Sequence, residues 1–204
     1  MFLLRYALLA LIGVGVLGVA GTLFTVKDTS VSARQTVTAP QKFGLQQGDM
    51  RTFEFAERRF EAPQSTFVTA EGSERTLGDW RGKVILVNLW ATWCAPCIEE
   101  LPALDRLQAA MGSEDFEVVA LSVDKAGPQK TEAFLKDLGI EHLALFNDQT
   151  MGLMWELQAA GLPTTILFDA NGTEIGRLAG IAAWDGQEAK RLIQYFIDQE
   201  AGTA

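Results

Sequence analysis

Lys83-Val84-Ile85-Leu86-Val87-Asn88-Leu89-Trp90-Ala91-Thr92-Trp93-Cys94-Ala95-Pro96-Cys97 is the stretch on which the fold turns. Lys83 to Ala91 is nearly continuously apolar and carries β-branched residues, the composition of a strand buried on both faces. The two cysteines that follow are the only ones in the 204 residues. Residues three apart on a helix share a face, and that spacing brings the Cα atoms within the roughly 4.4–6.8 Å a disulfide tolerates. Pro96 has no N–H to waste in a first helical turn and helps to start one. Cys94 is then expected at the helix N-terminus, where unpaired N–H groups and the helix dipole favour an anion. Its thiolate is the expected attacking species. Cys97, one turn further in, is expected to be shielded until a mixed disulfide forms on Cys94, which it then resolves.

Other uses of two cysteines fit less well. A zinc site needs four ligands, and the one other soft candidate is His142, which is given no function here. Haem attachment requires a histidine after Cys97, where Ile98 stands. Two inert buried cysteines are the bland reading, and a strand running straight into the pair at a helix start tells against it.

Outward from the motif the pattern stays regular. Ile98, Leu101, Leu104, Leu107 and Met111 predict the inward stripe of the helix, with Pro102 expected to kink it. Phe116 to Val123 predicts a second buried strand, Gln129 to Leu138 a helix stopped by Gly139, Leu143 to Phe146 a short strand and Thr150 to Ala159 another helix. Upstream, Thr66 to Ala70 predicts a strand ahead of a turn at Glu71-Gly72-Ser73. Thr164 to Asp169 and Glu174 to Ala179 predict a hairpin around Ala170-Asn171-Gly172-Thr173, with Asn-Gly supplying positive φ angles. Asp185 to Ala201 predicts a closing helix with Ala189, Leu192, Ile193, Phe196 and Ile197 on one face. The order describes an α/β fold, a central mixed sheet flanked by helices, with parallel strands beside an antiparallel hairpin.

The apolar fraction of 48% supports a sizeable core, and a net charge of −9 argues against nucleic acid. Arg5 precedes Tyr6 to Phe24, which carries no charge. As a helix this segment would span roughly 28 Å, close to the ~30 Å hydrocarbon core, so residues 1–26 are expected to form an N-terminal transmembrane anchor. A cleaved signal sequence, with Ala20 near the cut, is the alternative. The positive-inside tendency leaves the short end cytoplasmic and exports the remainder. No cysteine directly follows the apolar span, so a lipid-modified cysteine anchor is excluded. An exported domain sits where disulfides persist, yet both cysteines lie in one motif, which points to working chemistry. Residues 27–62 are expected to be a linker and residues 63–204 the domain; there is no repeat and no low-complexity tract.

The segment Asn88 to Cys97 resembles the active-site segment of the thioredoxin superfamily. With Leu77-Gly78-Asp79-Trp80-Arg81-Gly82-Lys83, Glu100-Leu101-Pro102-Ala103-Leu104-Asp105 and Gly161-Leu162-Pro163-Thr164, it resembles more narrowly the membrane-anchored TlpA/ResA-like thiol-disulfide oxidoreductases of bacteria, in the TlpA-type form of alphaproteobacteria. The resemblance covers about residues 63–200 and implies a thioredoxin-like fold, with residues near 115–140 as the family's central βα insertion. It makes Pro163 the cis-proline beside the cysteine pair. It makes Glu100 the acid one turn beyond the second cysteine, a proton partner for Cys97. Asn88 stands where ordinary thioredoxins carry a buried aspartate, so that relay is absent. Trp93, Ala95, Pro96 and Leu162 would face incoming partners, with Trp93 covering the pair and Trp90 in the core.

The resemblance further implies a domain on the periplasmic side of a bacterial inner membrane, reducing disulfides in exported proteins. The implied substrates are cysteine pairs of apocytochrome c or of copper-site proteins during respiratory oxidase assembly. A membrane disulfide-reducing relay would supply electrons, and no bound cofactor is implied, since electrons travel as thiols. Three alternatives stay open at this point: an oxidant that forms disulfides, a copper-binding chaperone on the same fold, and a thiol peroxidase.

Overall fold

The computed structural model describes residues 44–202. The expected anchor at 1–26 and the first part of the expected linker lie outside the described residues. Among the described residues no helix is long and apolar enough to cross a membrane. Eight strands form one sheet: β1 (Glu54–Phe55), β2 (Phe67–Thr69), β3 (Glu74–Arg75), β4 (Val84–Trp90), β5 (Phe116–Ser122), β6 (Leu145–Asn147), β7 (Thr164–Phe168) and β8 (Glu174–Ala179). The helices are α1 (Ala95–Met111), α2 (Pro128–Asp137), α3 (Gly152–Glu156) and α4 (Gln187–Ala201).

The sheet runs β1-β8-β7-β4-β5-β6-β2-β3. β4 pairs parallel with β5, and β5 with β6, while β7 and β8 add antiparallel on the other side. This is the expected mixed sheet, and the arrangement is the thioredoxin-like α/β fold. Every residue of β4 is buried because both faces of the sheet are covered. Val84 and Leu86 pack with Leu104 and Leu107 of α1 and Leu192 and Ile193 of α4. Ile85, Val87 and Leu89 pack on the other face with Phe67, Leu153 and Leu157. The period of two therefore places Asn88 on the side that α1 covers.

Several expectations need correction. α1 carries Pro102 inside its span, and Leu101, Leu104 and Leu107 are buried as expected, while Ile98 and Met111 are half-buried and the polar Glu100 and Asp105 are buried instead. α3 is shorter than Thr150 to Ala159, because Met151 and Gln158 on either side of it adopt left-handed φ angles of 59° and 54°. In the hairpin Gly172 alone of the Asn-Gly pair has positive φ, 75°. Asp169 holds that turn instead, its carboxylate accepting the N–H groups of Asn171 at 2.8 Å and Thr173 at 3.0 Å.

The largest difference lies in the expected linker. Within residues 44–62, Leu45, Met50 and Phe53 join the core formed by α1, α4 and the sheet. β1 pairs with β8, setting Glu54 opposite Arg177 and Phe55 opposite Gly176. A Cβ on Gly176 would lie 2.6 Å from the Phe53 ring, so the glycine makes room for this segment.

Asp105 fastens α1 to the connection between α2 and β6. Its Oδ1 accepts the backbone N–H groups of Glu141 (3.1 Å), His142 (2.7 Å) and Leu143 (3.1 Å). Removing the carboxylate strands three donors at once, so Asp105→Ala should cost about 2–3 kcal/mol in urea unfolding, and Asp105→Asn, which keeps an acceptor, should recover at least half. An Ala variant as stable as the parent would show that this lock contributes nothing.

Candidate active site

β4 ends at Trp90, and the chain turns at once into the pair: the Cys94 N–H donates to the Ala91 carbonyl at 3.1 Å. Asp124, just beyond the C-terminal end of β5, holds this turn. Its carboxylate accepts the Thr92 N–H at 2.8 Å, the Thr92 hydroxyl at 2.9 Å and the Ser122 hydroxyl at 2.9 Å. Asn147 donates to the carbonyls of Ser122 and Asp124, extending the same polar support to β6.

Cys94 is the N-cap of α1, with Pro96 in the first turn, as expected. Its sulfur accepts the Cys97 N–H at 3.3 Å. A cap sulfur aimed along the helix axis meets the orphan N–H groups and the positive end of the dipole, which favours its thiolate. The two cysteines form a disulfide with Cα atoms 5.3 Å apart. Cys94 is 6% exposed and Cys97 only 1%, so the sulfur a partner meets first is that of Cys94.

The other expected residues are placed as follows. The Leu162–Pro163 peptide bond is cis, and the Pro163 carbonyl accepts the Gly180 N–H at 2.9 Å. Leu162 is half-buried against the cluster that contains Cys94, Cys97 and Trp90. Ala95 and Pro96 are exposed on the first turn of α1. Trp93, expected to cover the pair, is 65% exposed, and Trp90 is wholly buried.

Glu100 lies one turn beyond Cys97 on the same side of α1, and it is 1% exposed. Burial pushes its carboxyl up from 4.5 to about 7, against the opposing pull of hydrogen bonds from Trp184, the Ala182 backbone and Asn88. The Trp184 indole N–H donates to Oε1. Asn88 donates to Oε2 at 3.4 Å and to the Thr165 hydroxyl at 2.9 Å, the residue opposite it across β4 and β7. A carboxyl that changes charge near neutrality one helical turn from Cys97 can take up and return a proton at ordinary pH. Among the described residues, no three or more His, Cys, Asp or Glu side chains gather where they could hold a metal ion.

Residues 58–188 match the Redoxin family. The chain belongs to that family. The Redoxin domain here is 32% identical over 111 residues to the thiol-disulfide oxidoreductase ResA of Geobacillus kaustophilus, covering 54% of this chain and 63% of that protein. It is 31% identical over 114 residues to the thioredoxin-like protein YneN of Bacillus subtilis, covering 55% of this chain and 65% of YneN. The chain thus spans just under two thirds of the length of these relatives. Among solved structures, a Chlorobium tepidum protein assigned as the thiol:disulfide interchange protein DsbE is 25% identical, with a TM-score of 0.61, and the match covers 69% of this chain and 98% of that one.

Three residues of this Redoxin site escaped the sequence reading: Asp124, Asp105 and Trp184. Asp124 had a usable signal, since Ser122-Val123-Asp124 puts polar residues where an apolar strand reaches the same sheet edge as the cysteines. Trp184 had none, lying in a connection with no periodicity.

Proposed function

We propose that this protein is a thiol-disulfide oxidoreductase, held at the bacterial inner membrane by its N-terminal segment and facing the periplasm, that reduces disulfides in exported proteins. The observation that carries the reading is the Cys94–Cys97 pair at the N-terminus of α1, with buried Glu100 beneath it and cis-Pro163 on the neighbouring loop. In the reducing direction the Cys94 thiolate attacks one sulfur of a substrate disulfide. That S–S bond breaks, and the other substrate sulfur leaves as a thiolate and takes a proton from water. Cys97 passes its proton to the Glu100 carboxylate and attacks Cys94 Sγ. The bond from Cys94 to substrate breaks and the second substrate sulfur leaves, to be protonated in turn. Two electrons have moved to the substrate, and the pair is a disulfide.

A dithiol donor, a membrane disulfide-reducing relay in this reading, returns the pair to the reduced state by the reverse exchange. The substrates are cysteine pairs that must be reduced before a haem or a copper ion is fitted, in apocytochrome c or in copper-site proteins. The names of the ResA relatives and of the DsbE-type neighbour support the thiol chemistry. The uncharged span Tyr6 to Phe24 behind Arg5 supports the tether and its orientation.

The test uses the full chain in detergent. Reduced protein mixed with disulfide-bonded insulin should reduce it stoichiometrically. Equilibration with glutathione should place the potential nearer the about −270 mV of thioredoxin than the about −120 mV of DsbA. No transfer to insulin would sink the exchange reading. A potential at the oxidising end would reverse its direction.

A further inference from the structure

We propose that the connection between β8 and α4 is a positioning element of the exchange centre, with Trp184 fixing the orientation of Glu100 through its indole N–H. The inference rests on the reading of Cys94 and Cys97 as an exchange pair and adds a residue to it. Trp184 is wholly buried, and its ring is locked in a core that includes Met50, Phe53, Leu104 and Leu192. A side chain so held presents its one polar atom in one direction, and that atom meets Glu100 Oε1. The connection is itself tied to α1, because Asp185 pairs with Arg106 at 2.7 Å. It also reaches the proline loop, through the Gly180 N–H on the Pro163 carbonyl. One segment thus touches the loop beside the pair and the acid beneath it.

The donors around Glu100 fix how its carboxyl is held. The indole nitrogen and the Asn88 amide nitrogen donate and do not accept. The indole N–H meets Oε1, the Asn88 amide reaches Oε2 at 3.4 Å, and the backbone of Ala182, in the same connection as Trp184, is a third donor to the carboxyl. Trp184 therefore holds Oε1 in place and, with it, the orientation of the carboxyl. The other ionisable groups around Glu100 are few. β4 and β7 carry none. α1 brings Cys97, the exposed Glu99, Asp105 on the 141–143 backbone and Arg106, which is engaged by Asp185. Glu188 stands at the start of α4. In the disulfide form, in which neither cysteine titrates, Glu100 is thus the group near the indole whose charge changes close to neutral pH.

The experiment follows the indole resonances of the full chain in detergent, labelled with nitrogen-15 in its five tryptophans, between pH 5.5 and 9. Trp184→Phe assigns the Trp184 resonance. In the parent this resonance should move with a midpoint near 7, and Glu100→Gln should abolish the movement. Trp184→Phe keeps a ring in the core and removes the donor. Losing a hydrogen bond that favours the charged carboxyl should raise the midpoint of the exchange-rate pH profile by about one unit. An indole resonance flat across this range, or a Phe variant with the parent's pH profile, overturns the proposal. Should the Phe variant not fold, Glu100→Gln against the parent decides, its missing titration identifying the resonance. A parent that exchanges no disulfide sinks the proposed function, whereas a parent that exchanges normally with an immobile indole sinks only the role of Trp184.

Discussion

Cys97→Ser should turn the protein from a turnover catalyst into a trap. Cys94 would still attack, but the mixed disulfide it forms would have no internal thiol to release it, so multiple-turnover exchange should fall by about 10³-fold or more. Adducts held through Cys94 should accumulate in cells and separate on non-reducing gels, and their identity tests the proposed substrates directly. Cys94→Ser should form no adducts, since the buried Cys97 has almost no exposed surface from which to attack. The asymmetry between the two variants is the signature of the assigned roles. Equal trapping by both would contradict it.

Glu100→Gln should slow exchange by about 10²-fold at neutral pH, with the loss falling on resolution of the mixed disulfide. The same substitution has a thermodynamic consequence. The unfolded chain releases this proton near the ordinary 4.5, whereas the folded protein keeps it until about 7. Within that window the folded state binds more protons, so its stability falls as pH rises. The contribution is complete below 4.5, is lost as pH passes through 7, and amounts to about 3 kcal/mol for a shift of that size. Urea unfolding at pH 5 and pH 8 should therefore show the parent losing stability that the Gln variant keeps. A difference between the two proteins that does not change with pH would remove Glu100 as a proton carrier near neutrality.

The cysteine pair, the strand before it and the mixed sheet were legible because each rests on a local pattern. Val84 to Trp90 reads as buried from composition alone, and Cys94, Pro96 and Cys97 declare a helix start within four residues. Pro163 was legible through the family resemblance that Gly161-Leu162-Pro163-Thr164 carries. Residues 44–62 were not, because Leu45, Met50 and Phe53 reach the core from a helical residue, a short 3₁₀ turn and the residue after it, which together leave neither the helix period nor the strand period. Glu100 could be named from its place after Cys97, but its environment could not. Its strongest donor is 84 residues away in sequence, and the three amides on Asp105 come from 36 to 38 residues away. Buried polar pairs of that kind arise from tertiary packing and leave no periodic trace.

The two outermost strands, Glu54–Phe55 and Glu74–Arg75, are each two residues long and carry charge. In the proposed function the protein meets incompletely folded chains, whose unpaired strands look for a sheet to join. A long bare margin would recruit them by backbone pairing, regardless of whether they hold a cysteine. Here six-residue β8 is shielded by β1 and the opposite margin is closed by β3, so neither side offers a template. Selectivity for thiol chemistry is thus protected at a distance from the sulfurs, by the shortness of the strands at the rim.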